Sequence, residues 1–166
     1  RSLNAIPTRR VFRPPPARSY LHEHRVVHRD IKGENVLVDA SGVAKLADFG
    51  ASKQMGSGGT IDETHHSLKG TPYYMAPEQI RQALYSHSVD VWAYGCVLEV
   101  LCTHKQVYTK WFNSGMLDHE LSSHIWNHQI QPEAPEGHFM ETLVVSCAAY
   151  EPEHRLDGID GSQGLF

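Results

Sequence analysis

The sequence predicts a mainly α fold carrying a short β-hairpin, and two stretches predict it. Val89 to Cys102 is apolar on nearly every face, the pattern of a helix placed in the centre of a core. Asn35 to Asp39 and Val43 to Ala47 are short β-rich runs, and Asp39-Ala40-Ser41-Gly42 between them carries turn chemistry. At 166 residues and 40% hydrophobic content, the chain is one domain or part of one, with enough apolar material for a core.

The first element along the chain is a segment expected to be disordered. Residues 1–18 hold five arginines and no acid, and Pro7, Pro14, Pro15 and Pro16 break any helix. Their charge leaves the rest of the chain at −9 within a total of −4. That mild total argues against a nucleic-acid binder. No membrane span is expected, because the run Val89 to Cys102 is too short and contains Asp90 and Glu99. No leader peptide is visible. Cys96, Cys102 and Cys147 form no C-x-x-C pair, which suggests reduced thiols and a cytoplasmic protein. Twelve histidines are many, yet His22 and His24 do not share a helix face and His65 and His66 are neighbours in a loop. A metal cluster is not expected from them.

The chemistry is concentrated in three motifs. His28-Arg29-Asp30-Ile31-Lys32-Gly33-Glu34-Asn35 comes first, Asp48-Phe49-Gly50 follows, and Ala76-Pro77-Glu78 closes the series. Their order and spacing match the protein-kinase signature set. From about Ser19 to Arg155 the chain resembles the C-terminal lobe of a eukaryotic serine/threonine protein kinase. The expected domains are therefore a basic Pro-rich segment, 1–18, and a partial kinase domain, 19–166. Lys45 to Lys53 and Gly70 to Glu78 resemble the mitogen-activated protein kinase kinase kinase group. Ser19 to His24 is similar to the last turns of the helix entering the catalytic loop. Pro132, Pro135, Cys147 and Pro152 also fall where the family places similar residues. The tail from Asp157, with Gly158, Gly161 and Gly164, is expected to fray.

The resemblance implies ATP and Mg²⁺ as cofactors and a role for each motif residue. Phosphoryl transfer needs positioning and charge neutralisation rather than covalent help. Asp30 would accept the proton of an incoming Ser or Thr hydroxyl. Lys32 would sit against the transferred phosphate, a serine/threonine-kinase feature. Asn35 and Asp48 would supply hard oxygen ligands to Mg²⁺, and Asn35 could also tie the loop to Asp30. Leu37 is expected under the adenine ring, and an ordinary core leucine of the hairpin is a second reading compatible with the first. His28 and Phe49 are expected as links in an apolar stack beneath the site.

The stretch from Asp48 to Glu78 is the expected switch. Arg29, directly before Asp30, marks kinases activated by phosphate on this loop, and Lys53 is a second basic candidate. Thr60, Thr64 and Ser67 are the candidate acceptors, with Ser67 favoured from the group resemblance. Lys69 stands where that group often has Thr. Thr71 resembles the threonine that hydrogen-bonds the catalytic Asp and Lys. Glu78 and Arg155 are expected to form a buried ion pair. Asp90 is expected to fix the catalytic-loop backbone, with a favourable helix N-terminal acid as the other reading.

The expected partners are a protein substrate, possibly another kinase, and an upstream activating kinase. The sequence contains no G-x-G-x-x-G loop and no V-A-I-K lysine, and residues 1–18 have neither Gly nor Lys. The expectation is thus a kinase fragment, its N-terminal lobe missing, that does not phosphorylate substrates by itself. The alternative is a catalytically dead lobe used for docking.

Overall fold

The computed structural model describes Leu21 and residues 23–62 and 70–156. Among the described residues there are four short strands and five α-helices. Strand β1 is Val26–Val27, β2 is Val36–Val38, β3 is Ala44–Leu46 and β4 is Lys53–Gln54. The helices are α1 Pro77–Ile80, α2 Ser88–Thr103, α3 Thr109–Asn113, α4 Leu121–Trp126 and α5 Glu141–Cys147.

The expected hairpin is β2–β3, antiparallel, with Val36 opposite Leu46 and Val38 opposite Ala44. Asp39 builds its turn. Its carboxylate accepts hydrogen bonds from the Ser41 N–H at 2.9 Å, the Ser41 hydroxyl at 2.6 Å and the Val43 N–H at 3.0 Å. Gly42 takes the positive φ of 83° that closes it. A second ladder, β1 against β4, pairs Val26 with Gln54 and Val27 with Lys53. The sequence predicts one hairpin only. Two-residue strands joined across more than twenty positions leave no local period to read.

Helix α2 is the post of the core. It spans the apolar run and one residue beyond each end. Its faces enter three clusters: Val89, Trp92 and Cys96 in one, Val91 and Leu98 with Val144 and Cys147 in another, and Ala93 and Val97 with Ile31 in the third. Such a helix has no polar stripe because it has no solvent face over most of its length. Gly95 lets α5 approach, since a Cβ there would lie 3.1 Å from that of Cys147. All three cysteines are free thiols. Among the described residues no helix is long and apolar enough to cross a membrane.

Candidate active site

Three elements converge on the site: the loop after β1, the β2–β3 hairpin and the N-terminus of α2. Arg29 sits in the left-handed region, φ 69°, which a non-glycine residue enters only at a cost. Asp90, in the first turn of α2, holds that turn. Its two carboxylate oxygens accept the N–H groups of His28 at 2.8 Å and Arg29 at 2.9 Å. Asp90 therefore fixes the loop backbone as expected, and as a helix-start acid it also complements the dipole. His28 is fully buried and its Nε2 lies 3.1 Å from the Ala47 carbonyl. A carbonyl only accepts, so Nε2 carries the proton. Nδ1 is then left to accept the Asp30 N–H at 3.4 Å.

Asp30 is the hub. Its Oδ1 accepts the Thr71 hydroxyl at 2.8 Å. Its Oδ2 faces the Lys32 ammonium at 2.9 Å and the Asn35 amide at 3.1 Å. Lys32 also donates to the Thr71 hydroxyl at 2.9 Å, and the Asn35 amide to the Asp30 carbonyl at 2.7 Å. Burial raises the Asp30 carboxyl, but hydrogen bonds from Lys32 and Thr71, the Lys32 charge and the Asn35 amide outweigh it, so the group sits below the ordinary carboxylate range. It is an ionised acceptor, suited to orienting a hydroxyl.

Asn35 ends a 3-10 turn, Gly33–Asn35, and is buried. Its carbonyl accepts the Ala47 N–H at 2.8 Å, which brings Asp48 beside it across the hairpin. Asp48 is exposed and left-handed, φ 61°, and one oxygen accepts the Gly50 N–H at 3.2 Å. The Asn35 amide nitrogen is committed to Asp30, so its carbonyl oxygen is the free end. One amide oxygen and one carboxylate are a donor set that fits Mg²⁺, which keeps several waters. Among the described residues no group of three or more His, Cys, Asp or Glu could hold a metal ion.

Leu37 is 55% exposed, so the ordinary-core reading of this residue fails. Phe49 meets His28 edge-on at 4.9 Å between centroids, yet it is 49% exposed. The apolar stack is open on its outer side.

On the switch, the Arg29 guanidinium reaches the Ala51 carbonyl at 2.6 Å and the Tyr85 hydroxyl at 3.3 Å. Lys53 points its ammonium at the Asp62 carbonyl, 3.5 Å away. Thr60 is exposed. Ser67 and Thr64 lie outside the described residues. Glu78 and Arg155 form the expected buried pair, bidentate at 2.5 and 2.8 Å. Arg155 also donates to the carbonyls of Ser88, Ala149 and Tyr150, and stacks over Trp92.

Sequence reasoning missed two residues that shape the site. Gly70 has φ 117°, and a Cβ there would lie 2.5 Å from the Arg29 carbonyl oxygen. A glycine directly before a functional threonine was the available signal. Glu99, on the buried face of α2, accepts the N–H groups of Tyr108 at 2.8 Å and Glu133 at 3.2 Å, pinning the chain beyond the helix. An acid within an apolar helix was its signal.

From the cluster an open groove of about 1030 Å³ runs along Tyr73 and Tyr74 to Val100 and the turn His104 to Gln106. It is large enough for an extended peptide to lie beside Lys32 and Thr71.

The protein kinase domain family matches residues 16–160. The chain is similar to mitogen-activated protein kinase kinase kinase 2 of Arabidopsis thaliana, 40% identical over 140 residues, covering 82% of this chain and 20% of that protein. It is similar to mitogen-activated protein kinase kinase kinase A of Dictyostelium discoideum, 46% identical over 141 residues, covering 84% of this chain and 14% of that one. A further relative, mitogen-activated protein kinase kinase kinase 3 of Arabidopsis thaliana, is 38% identical over 149 residues, or 89% of this chain and 22% of the relative. The chain thus spans about a fifth or less of the length of these relatives.

Proposed function

This chain belongs to the protein kinase family, by family to the serine/threonine kinases, and from that premise we propose that its motif cluster transfers the ATP γ-phosphate to Ser or Thr hydroxyls of a protein in a signalling cascade. The observation that carries the reading is the closed set Asp30, Lys32, Asn35 and Thr71, with every short bond directed at Asp30 or Thr71.

Asp30 orients the incoming hydroxyl and accepts its proton. Lys32 stands ready to move from Thr71 to the migrating phosphoryl group, placing a positive charge where negative charge develops. Thr71 holds both until the substrate arrives. Asn35 and Asp48 would hold Mg²⁺, which would neutralise charge on the phosphate oxygens. The exposed Leu37 offers an apolar surface to the adenine ring. A phosphate on the Asp48 to Glu78 segment, with Ser67 or Thr64 as acceptor, pairs with Arg29 and Lys53 and orders the segment. Substrates are other kinases of the cascade, and an upstream kinase supplies the activating phosphate.

The test is transfer of labelled γ-phosphate by the full-length natural protein to a Ser- and Thr-bearing kinase substrate. Transfer should require Mg²⁺ and disappear in Asp48→Ala. Unchanged transfer by that variant would sink the assignment.

A further inference from the structure

We propose that Lys105 is a specificity-determining residue that reads an acidic side chain on the protein substrate, an inference that rests on the kinase reading above. Among the described residues, Lys105 is the one Lys or Arg whose side chain has no partner. Arg25 caps the Gly56 and Ser57 carbonyls, Lys45 pairs with Asp39, Lys110 pairs with Glu133, and Arg81 reaches the Trp126 carbonyl. Lys32, Arg29, Lys53 and Arg155 are engaged as described above. Lys105 is exposed and lines the groove that opens off Lys32 and Thr71, and it also borders a neighbouring cavity that holds Glu133 and Glu136.

Its placement is built. Helix α2 ends at Thr103, and His104 turns the chain with φ 55° while its N–H stays on the Val100 carbonyl at 2.8 Å. The Lys105 N–H is held by the Thr103 hydroxyl at 3.3 Å. Two residues on, buried Val107 and Tyr108 anchor the turn, and the Tyr108 N–H is held by Glu99. The backbone under Lys105 is therefore fixed at both ends, at the rim of the groove. A turn anchored in this way leaves little backbone entropy to lose when a ligand binds.

The charge pattern of the groove gives the choice a direction. The Lys32 charge is taken up by Asp30. Of the formal charges that remain on the lining, Lys105 and Glu34 are opposite in sign, and no ion pair joins them. A peptide laid across the groove meets a carboxylate at the Glu34 side and an ammonium at the Lys105 side. An acidic side chain is attracted at one of these and repelled at the other, so acid is favoured on one side of the phosphoacceptor only.

The experiment is fluorescence anisotropy of short Ser-containing peptides with the full-length natural protein, at low ionic strength. One peptide carries Asp residues before the Ser, one carries them after it, and a third carries Asn at all those positions. One of the two acidic peptides should bind about threefold tighter than the Asn control, as expected for an exposed ion pair. High salt should remove the difference. Lys105→Gln should abolish the preference and Lys105→Glu should invert it, with thermal melts matching the wild type. The same ranking in all three proteins would overturn the proposal, and so would no binding of any peptide. Asp30-dependent phosphate transfer is read in a separate assay. Peptide ranking can therefore fail while transfer stands, or stand while transfer fails.

Discussion

The residues with the most at stake are those whose partners are buried or whose backbone is left-handed. Arg155 and Glu78 lie 3% and 8% exposed and are joined by two short bonds. Removing one partner strands the other charge. Glu78→Gln or Arg155→Met should each cost about 3–5 kcal/mol in denaturant unfolding. The double replacement should cost clearly less than the sum of the two, and strict additivity would contradict the pair. Gly70 is constrained by geometry. Gly70→Ala places a Cβ against a backbone oxygen at positive φ, so neither rotamer nor side-chain movement relieves it. The loss should be about 1–3 kcal/mol, and a variant as stable as wild type would refute the fit. At this scale the sequence was informative. Asp30, Lys32, Thr71, Asp90, Glu78 and Arg155 were all singled out from motifs, and they fall into contact in the pairs named. Gly70 was not singled out, because its constraint comes from Arg29, some forty positions away.

At the level of elements, α2 does the joining. It supplies Asp90 to the catalytic loop at one end and Glu99 to the loops before α3 and α5 at the other. Burial pushes the Glu99 carboxyl up to about 7, although the Tyr108 and Glu133 N–H groups pull it down. Because the folded value exceeds the unfolded one, the native state holds the extra proton between about pH 4.5 and 7. The stability contributed by Glu99 is full below that window and lost as pH rises through it. In Glu99→Gln this dependence disappears. The stability of the wild type relative to the variant should therefore fall as pH is raised from about 5 to about 8. A relative stability that does not change, measured by urea midpoints, would contradict the account. The helix itself was legible because every face is apolar. The β1–β4 ladder was not, because its partners are short and its pairing is set by the tertiary fold.

For the whole molecule, the open side of the site is the distinguishing feature. Leu37, Val43 and Phe49 are exposed at 55%, 52% and 49%, all on or beside the β2–β3 hairpin. Apolar groups gathered in one region mark a surface that another body covers. The isolated chain should bind an apolar fluorescent dye, and Leu37→Ser with Phe49→Ser should reduce that signal. No dye binding by the wild-type chain would contradict the open face. The motifs made the family and the cluster around Asp30 readable from sequence. The exposure of Leu37 was not readable, because an apolar residue in a strand looks the same whether it faces a core or a ligand.

If Asp30 and its partners form a phosphoryl-transfer site, the full-length natural protein and its Asp30→Ala variant should differ sharply in the rate of γ-phosphate transfer at saturating ATP and Mg²⁺. The kcat should fall at least about 100-fold, as for loss of a positioned proton acceptor, with ATP affinity little changed. A variant that keeps the wild-type kcat would rule the site out.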